Sequence, residues 1–262
     1  MSLELTTRPI ADFLIEHADA IVTSVGPAPK RGPAQRDLVT FRDAVVASRD
    51  GIIVYVGPAA DATDAITVAP DAVRVDAAGC TVLPGFVDPH THAVFAGNRD
   101  DELRQRLGGA TYEQIAAAGG GIMSTVRATR AASVHALVEA ARPRLDAMLA
   151  AGTTTCEIKS GYGLSTESEL TILHAIRRLN AGHAIDIVST FLGAHDVAPD
   201  FKTRRHEYVA AIIDEMIPRV AAERLAEWCD VFCDRGYFTA DESIAILDAG
   251  RRAGLRPAPA RR

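Results

Sequence analysis

The chain has 262 residues, 48% of them hydrophobic and 24% charged, with a formal net charge of -6. This length supports a large core in one domain or two, and the mildly acidic balance, with no basic block, excludes a nucleic-acid footprint. No stretch is long and apolar enough to span a bilayer, the N-terminus lacks the order of a secretory signal, and four cysteines make no disulfide framework, so the cytoplasm is the expected compartment.

The first eighty or so residues read as β structure. Ala20–Thr23 is a short apolar run, and Ala44–Ala47 and Ile52–Val56 flank a turn ending in Asp50-Gly51, a hairpin signal. Val73–Asp76 alternates like a short strand, and Gly26–Gly32 is a Gly/Pro-rich loop. After Pro84-Gly85 the pattern becomes strands alternating with helices. Phe86-Val87 leads into Asp88-Pro89-His90-Thr91-His92, and a long connection containing Gly119-Gly120-Gly121 follows, either a lid loop or a simple turn. Val134–Ala150 is predicted helical with Ser133 as N-cap, and Pro143 argues for a kink or break in it. Thr153–Ile158 is a predicted strand. Thr166 and Glu169 have capping-box spacing at the head of a helix whose apolar positions run Leu170, Leu173, Ile176, Leu179. Ile185–Phe191 and Trp228–Phe232 are further strands. Tyr208–Val220 and Asp241–Ala253 are helices, and Leu255 begins another strand.

This alternation implies an α/β fold with a parallel sheet, either an open doubly wound sheet or a barrel. The first strand–turn carries no phosphate-binding glycine fingerprint, which weakens the dinucleotide alternative. Polar residues gather just after the strands: His90 and His92, then Glu157, Lys159 and Tyr162, then His195 and Asp196, then Asp234. In a (β/α) barrel the active site lies at those carboxyl ends.

His90 and His92 are the sharpest feature. Residues i and i+2 of an extended segment share a face, so two imidazoles can grip one metal ion, although His-x-His alone is also what two solvated turn histidines look like. Arg99 has an ion-pair reading, Tyr162 a loop-packing one and His195 a helix-capping one beside their functional readings. Glu157 and Lys159 read as a structural pair. Cys229 and Cys233 read as buried thiols, two cysteines being too few for a zinc site. His174, His183 and His206 read as surface residues.

The run Leu83-Pro84-Gly85-Phe86-Val87-Asp88-Pro89-His90-Thr91-His92 resembles the entry strand of the amidohydrolase superfamily. The segments His92–Arg99, Gly119–Val126 with Thr129-Arg130, Glu157–Leu164, Thr190–His195 and Cys229–Cys233 resemble the imidazolonepropionase family, in that family's order. The resemblance implies an α/β chain holding about the first half of a (β/α)8 TIM-like barrel over 84–262, preceded by a small, incomplete β-sandwich domain over 1–83. It implies one Zn²⁺ or Fe²⁺/Fe³⁺ per subunit on His90 and His92, with Arg99, Tyr162 and His195 binding 4-imidazolone-5-propanoate and His195 also catalytic. The implied reaction is hydrolysis to N-formimidoyl-L-glutamate in histidine degradation, in a homodimer.

The family's His-Ala-Asp-Glu segment and a later Asp, which supply the remaining ligands and an acid/base, are not found before the chain ends Ala-Pro-Ala-Arg-Arg. The stretch from Pro84 is also shorter than the about 250 residues of a typical barrel. The expectation is therefore a truncated or frame-shifted gene product, poorly soluble and weakly active or inactive alone. Another amidohydrolase, cytosine deaminase-like or dihydroorotase-like, and a non-catalytic half-barrel remnant are the alternatives.

Overall fold

Asp50 and Gly51 both take positive φ, 50° and 77°, and join two antiparallel strands in register Arg49↔Ile52. A two-residue hairpin turn of this hand needs left-handed backbone at both positions, which Asp tolerates and Gly takes freely. This hairpin lies in the first of two compact units, Met1–Pro84 and Gly85–Arg262, into which the chain folds. The computed structural model describes residues 8–111, 114–115 and 120–258.

In the first unit, strands β1 (Ile10–Ala18), β4 (Ala44–Arg49), β5 (Ile52–Pro58) and β6 (Thr67–Asp76) form one sheet in the order β5-β4-β1-β6. Strands β2 (Ala20–Thr23), β3 (Val39–Phe41) and β7 (Thr81–Val82) form a second, three-stranded sheet in the order β3-β2-β7. One short helix, α1 (Ala59–Ala65), follows the hairpin. Ala11, Leu14, Val45, Ala47 and Ile66 make one small core, and Ala18, Ile21, Ala44 and Ala77 another. β1 was not legible in the sequence because Asp12, Glu16 and His17 interrupt its apolar positions. Glu16 is held by Arg74 of the neighbouring strand at 2.7 Å.

The second unit is built on a five-stranded parallel sheet in chain order: β8 (Phe86–Thr91), β9 (Thr153–Lys159), β10 (Asp186–Ala194), β11 (Trp228–Val231) and β12 (Arg256–Pro257). Strands joined in parallel need crossovers, and helices supply them. These are α2 (Asp100–Leu107), α3 (Ile122–Arg130), α4 (Val134–Ala150), α5 (Thr166–Gly182), α6 (Arg205–Ala211), α7 (Ile217–Ala222) and α8 (Ala240–Arg252). Leu137, Ala141 and Leu145 of α4, Leu173, Ile176 and Leu179 of α5, and Phe191 of β10 are fully buried in one core. Among the described residues no helix is long and apolar enough to cross a membrane.

Several expectations need correcting. Pro143 does not break α4, which runs unbroken from its Ser133 cap. Pro143 and Glu139 are both exposed, so water can satisfy the Glu139 carbonyl that loses its helical donor. The single helix expected over Tyr208–Val220 is three pieces, α6, a π-turn over Ile212–Met216, and α7 with Pro218 in its first turn. Pro218 lacks the N–H that a continuous helix requires, and the wider π-turn just before it absorbs the mismatch. The capping box is not at Thr166/Glu169. Ser165 precedes α5 with no side-chain cap, and the box belongs to Thr239 and Glu242 at the head of α8. Helices α2 and α3 occupy much of what read as one long connection. Gly119 of the triple glycine lies outside the described residues.

Candidate active site

His90 is the last residue but one of β8 and His92 lies just beyond the strand, with Thr91 between them turned to donate to the Glu157 carbonyl at 2.7 Å. The two imidazole centres are 6.1 Å apart, with planes at 75°. Two rings bound to one zinc through nitrogens about 2.1 Å from the ion keep their centres about 5–6 Å apart, so this spacing is compatible with a shared ion. His90 is exposed and His92 half-buried.

His92 is also the centre of a ring cluster. It stacks on His195 at 4.7 Å with planes 7° apart, and Tyr162 lies 4.9 Å from His92 and 5.4 Å from His195. His195 leaves the carboxyl end of β10, and Tyr162 sits in the loop after β9. His195 Nδ1 is 3.0 Å from the Gly161 carbonyl. A carbonyl only accepts, so Nδ1 carries the proton there and Nε2 is left as an acceptor. Gly161 has φ +109°, and a Cβ on it would come within 2.9 Å of His195 Nδ1, so glycine is required for this approach.

The loop 161–164 is held from both sides. Fully buried Glu169 accepts from the backbone N–H groups of Gly161, Gly163 and Leu164, each at 2.8 Å. Arg130 donates to the carbonyls of Gly163 and Leu164 at 2.6 and 2.7 Å. Burial pushes the Glu169 carboxyl up, against the hydrogen bonds from Ser160, Leu164, Gly161 and Gly163.

Desolvation dominates the titration of the rings. His92 is pushed down to about 3, chiefly by burial and then by His195, His90 and Lys159, with the Ser160 backbone opposing. His195 is lowered by burial, opposed by the Gly161 hydrogen bond and by Asp196 and Asp230. Burial raises Tyr162 while Arg99 lowers it. Both histidines are therefore neutral near pH 7, the form that binds a metal or accepts a proton.

Beside the rings lies a cavity of ≈ 410 Å³ lined by Phe95, Asn98, Arg99, Thr125, Arg144 and Tyr162, with Gly97 at its edge. Arg99 Nε donates to Thr125 Oγ1 at 3.0 Å, which fixes one edge of a guanidinium that lines the cavity. On the strands behind, Lys159 bridges Glu157 at 2.7 Å and Asp230 at 2.9 Å. Thr190 Oγ1 donates to Glu157.

The arrangement brings together His90, His92, Tyr162 and His195, and it sets Arg99 beside Tyr162. Asp234 is turned to its own loop, accepting from Arg235 N at 2.7 Å. Cys229 is buried as expected, but Cys233, in the loop beyond β11, is exposed. His183 has a side chain only 5% exposed, 3.2 Å from Asp146, and is not the surface residue expected. Sequence reasoning missed Glu169, Arg130, Asp230 and Arg144. Of these Asp230 carried a signal as an acidic residue inside an apolar strand, and Arg130 lay in a segment that carries the family resemblance, while Glu169 read as a helix cap.

A metal would be a group implied by resemblance, and the fit is partial. Among the described residues two buried side-chain atoms lack a hydrogen-bond partner, His92 Nδ1 and Glu157 Oε2. An orphan imidazole nitrogen is the donor an ion would take. No group of three or more His, Cys, Asp or Glu side chains among the described residues stands ready to hold an ion, so His90 and His92 are donors without a completed set.

Known proteins decide the family. The chain is 49% identical over 249 residues to the imidazolonepropionase of Symbiobacterium thermophilum, 48% over 248 to that of Solibacter usitatus and 46% over 248 to that of Haloarcula marismortui. The chain belongs to the imidazolonepropionase family. These matches cover 94–95% of the chain but 57–59% of each relative, so it spans less than two thirds of the imidazolonepropionases it matches. No family profile matches it. Solved structures with the same fold include 5-methylcytosine deaminase from Klebsiella pneumoniae (16% identity, TM-score 0.57, covering 95% of this chain and 50% of that one). Guanine deaminase from E. coli is similar at 13% identity, TM-score 0.59, covering 94% and 52%. An adenosine deaminase from Xanthomonas campestris, similar at 17% identity and TM-score 0.50, was solved with bound Zn. At these identities the likeness to solved structures concerns the fold, which for this imidazolonepropionase-family chain is α/β.

Proposed function

We propose that this chain carries the histidine-pair and carboxylate-binding part of a metal-dependent site that hydrolyses 4-imidazolone-5-propanoate to N-formimidoyl-L-glutamate. The observation that carries it is the ring cluster His92–His195–Tyr162 beside a cavity fronted by Arg99. A flat nitrogen heterocycle with a short carboxylate arm matches both parts at once. We also infer that the five parallel strands are about the first half of a (β/α)8 barrel and the first unit an incomplete β-sandwich. The strand order and the gathering of polar groups at the strands' carboxyl ends support this. A cytoplasmic homodimer belongs to the same reading.

His90 and His92 would hold the ion, zinc or iron. Bound there, it would supply the acidity that makes water a nucleophile near neutral pH. Hydrolysis adds one water across the ring: a hydroxyl joins the carbonyl carbon, the C–N bond breaks, and the leaving nitrogen takes a proton. Arg99 pairs with the carboxylate through its free terminal nitrogens. Tyr162 packs against the ring and offers its hydroxyl. Neutral His195, its Nδ1–H tied to Gly161, presents Nε2 to take a proton from water and return it to the leaving nitrogen.

The test is binding of 3-(imidazol-4-yl)propanoate, cytosine and dihydroorotate to the full chain, with turnover of the imidazolone followed by its absorbance with Zn²⁺ or Fe²⁺ added. The reading expects the imidazole acid to bind tightest and Arg99→Ala to weaken it about tenfold. Preference for cytosine or dihydroorotate would reassign the site to another amidohydrolase chemistry. No binding of metal or of any of the three would mark a non-catalytic remnant.

A further inference from the structure

Arg144 projects from the middle of α4 into the cavity that Arg99 fronts. Its Nη1 donates to the carbonyls of Ala93 and Phe95, at 2.9 and 3.1 Å, and its guanidinium lies 3.7 Å over the Phe95 ring. The head group is thus immobilised on the segment that follows His92. No carboxylate among the described residues forms an ion pair with Arg144 or with Arg99, and none lines the cavity. A half-buried cation with no counter-charge is costly, and burial does lower the Arg144 pKa. Arg99 is exposed and Arg144 half-buried, and with both lining one cavity the described lining is positively charged and suited to an anion.

We propose that Arg144 is a second anion-binding residue of this cavity, which with Arg99 forms a two-guanidinium site for the carboxylate of a small organic acid. Each arginine is fixed by one side of its fork, Arg99 through Nε on Thr125 and Arg144 through Nη1 on two carbonyls. The remaining nitrogens are preorganised, so little side-chain entropy is lost when an anion binds. Phe95 and Tyr162 supply the apolar wall for the carbon arm. The assignment deepens the reading of Arg99 above and rests on it for the identity of the acid, not for the existence of the site.

The experiment is calorimetric titration of the full chain with 3-(imidazol-4-yl)propanoate, its neutral amide, and glutarate. The wild type is expected to bind the acid about tenfold tighter than the amide. Arg144→Gln should lose about tenfold in affinity for the acid and for glutarate, with amide affinity unchanged. If Arg144→Gln does not fold, Arg144→Lys carries the test. It keeps the charge and one donor to the carbonyls but not the fork, and it should weaken both acids by about threefold or more while sparing the amide. An unchanged acid-to-amide ratio in a folded variant, or an equal loss of acid and amide, overturns the proposal and leaves Arg144 as a brace for residues 93–95. Glutarate lost in Arg144→Gln, with the imidazole acid binding no tighter than glutarate, upholds the two-arginine site and removes the imidazolone reading instead.

Discussion

His92 and His195 lie ring on ring, 4.7 Å apart and nearly parallel, yet only His195 has its Nδ1 engaged, by the Gly161 carbonyl. His92 Nδ1 is buried with no partner. The two imidazoles therefore have different work available to them: one is free to hold an ion, and the other is fixed to serve whatever lies between the rings and the cavity. We expect His92→Ala to lower Zn²⁺ affinity more than tenfold and His195→Ala to change it less than threefold, measured by competition with a chelating dye. Equal losses would make His195 a ligand.

Glu169 is the residue whose chemistry the sequence disguised. Its spacing from Thr166 is that of a capping box, but its carboxylate instead gathers three N–H groups of the loop that carries Tyr162. Glu169→Gln keeps the volume but turns an amide donor toward those N–H groups. We expect it to cost about 2–4 kcal/mol in urea unfolding and to weaken binding of the imidazole acid. A loss under 1 kcal/mol would show that water replaces the carboxylate at no great cost.

What was legible follows from where the signal lives. His90, His92, Tyr162 and His195 were readable because strand periodicity and strand ends leave a local trace, and the parallel sheet was readable because strands and helices alternate. Arg130, Asp230 and Arg144 act on partners tens of residues away, as in Lys159–Asp230 or Arg144–Ala93, and no local pattern encodes such a partner; Glu169 acts on the nearby loop 161–164, but its spacing from Thr166 imitates a capping box. Helices α2 and α3 were hidden for a different reason. Asp100–Leu107 buries nothing, so it lacks the apolar stripe that marks a helix, and Ile122–Arg130 buries two threonines with one valine.

Acid should weaken the hold on α8. Glu242, bonded to Arg205 at 2.7 Å, is pulled from its ordinary 4.5 down to about 2, by the Arg205 hydrogen bond first and then, against desolvation, by Thr239. A folded-state pKa below the unfolded one stabilises the fold above about pH 4.5, and that stability drains away as pH falls toward 2. With partial exposure screening the pair, about 1–2 kcal/mol is at stake. Glu242→Gln should therefore be less stable than wild type at pH 7 and approach it by pH 2–3, read as the difference between two urea series. A gap that stays constant with pH would assign the loss to the cap at Thr239 instead.

Lys159 sits 4% exposed between Glu157 and Asp230, whose side chains are 13% and 1% exposed. Removing the cation leaves two carboxylates facing each other out of water. Lys159→Met is expected to destabilise by about 3–5 kcal/mol. Adding Asp230→Asn, which removes the second charge and keeps an acceptor for the Val231 N–H, should restore a substantial part of that loss. Thermal unfolding of the two single variants and the double gives the coupling directly. If the double variant is simply the sum of the singles, the three charges do not act as a unit, and Lys159 holds the strands by packing alone.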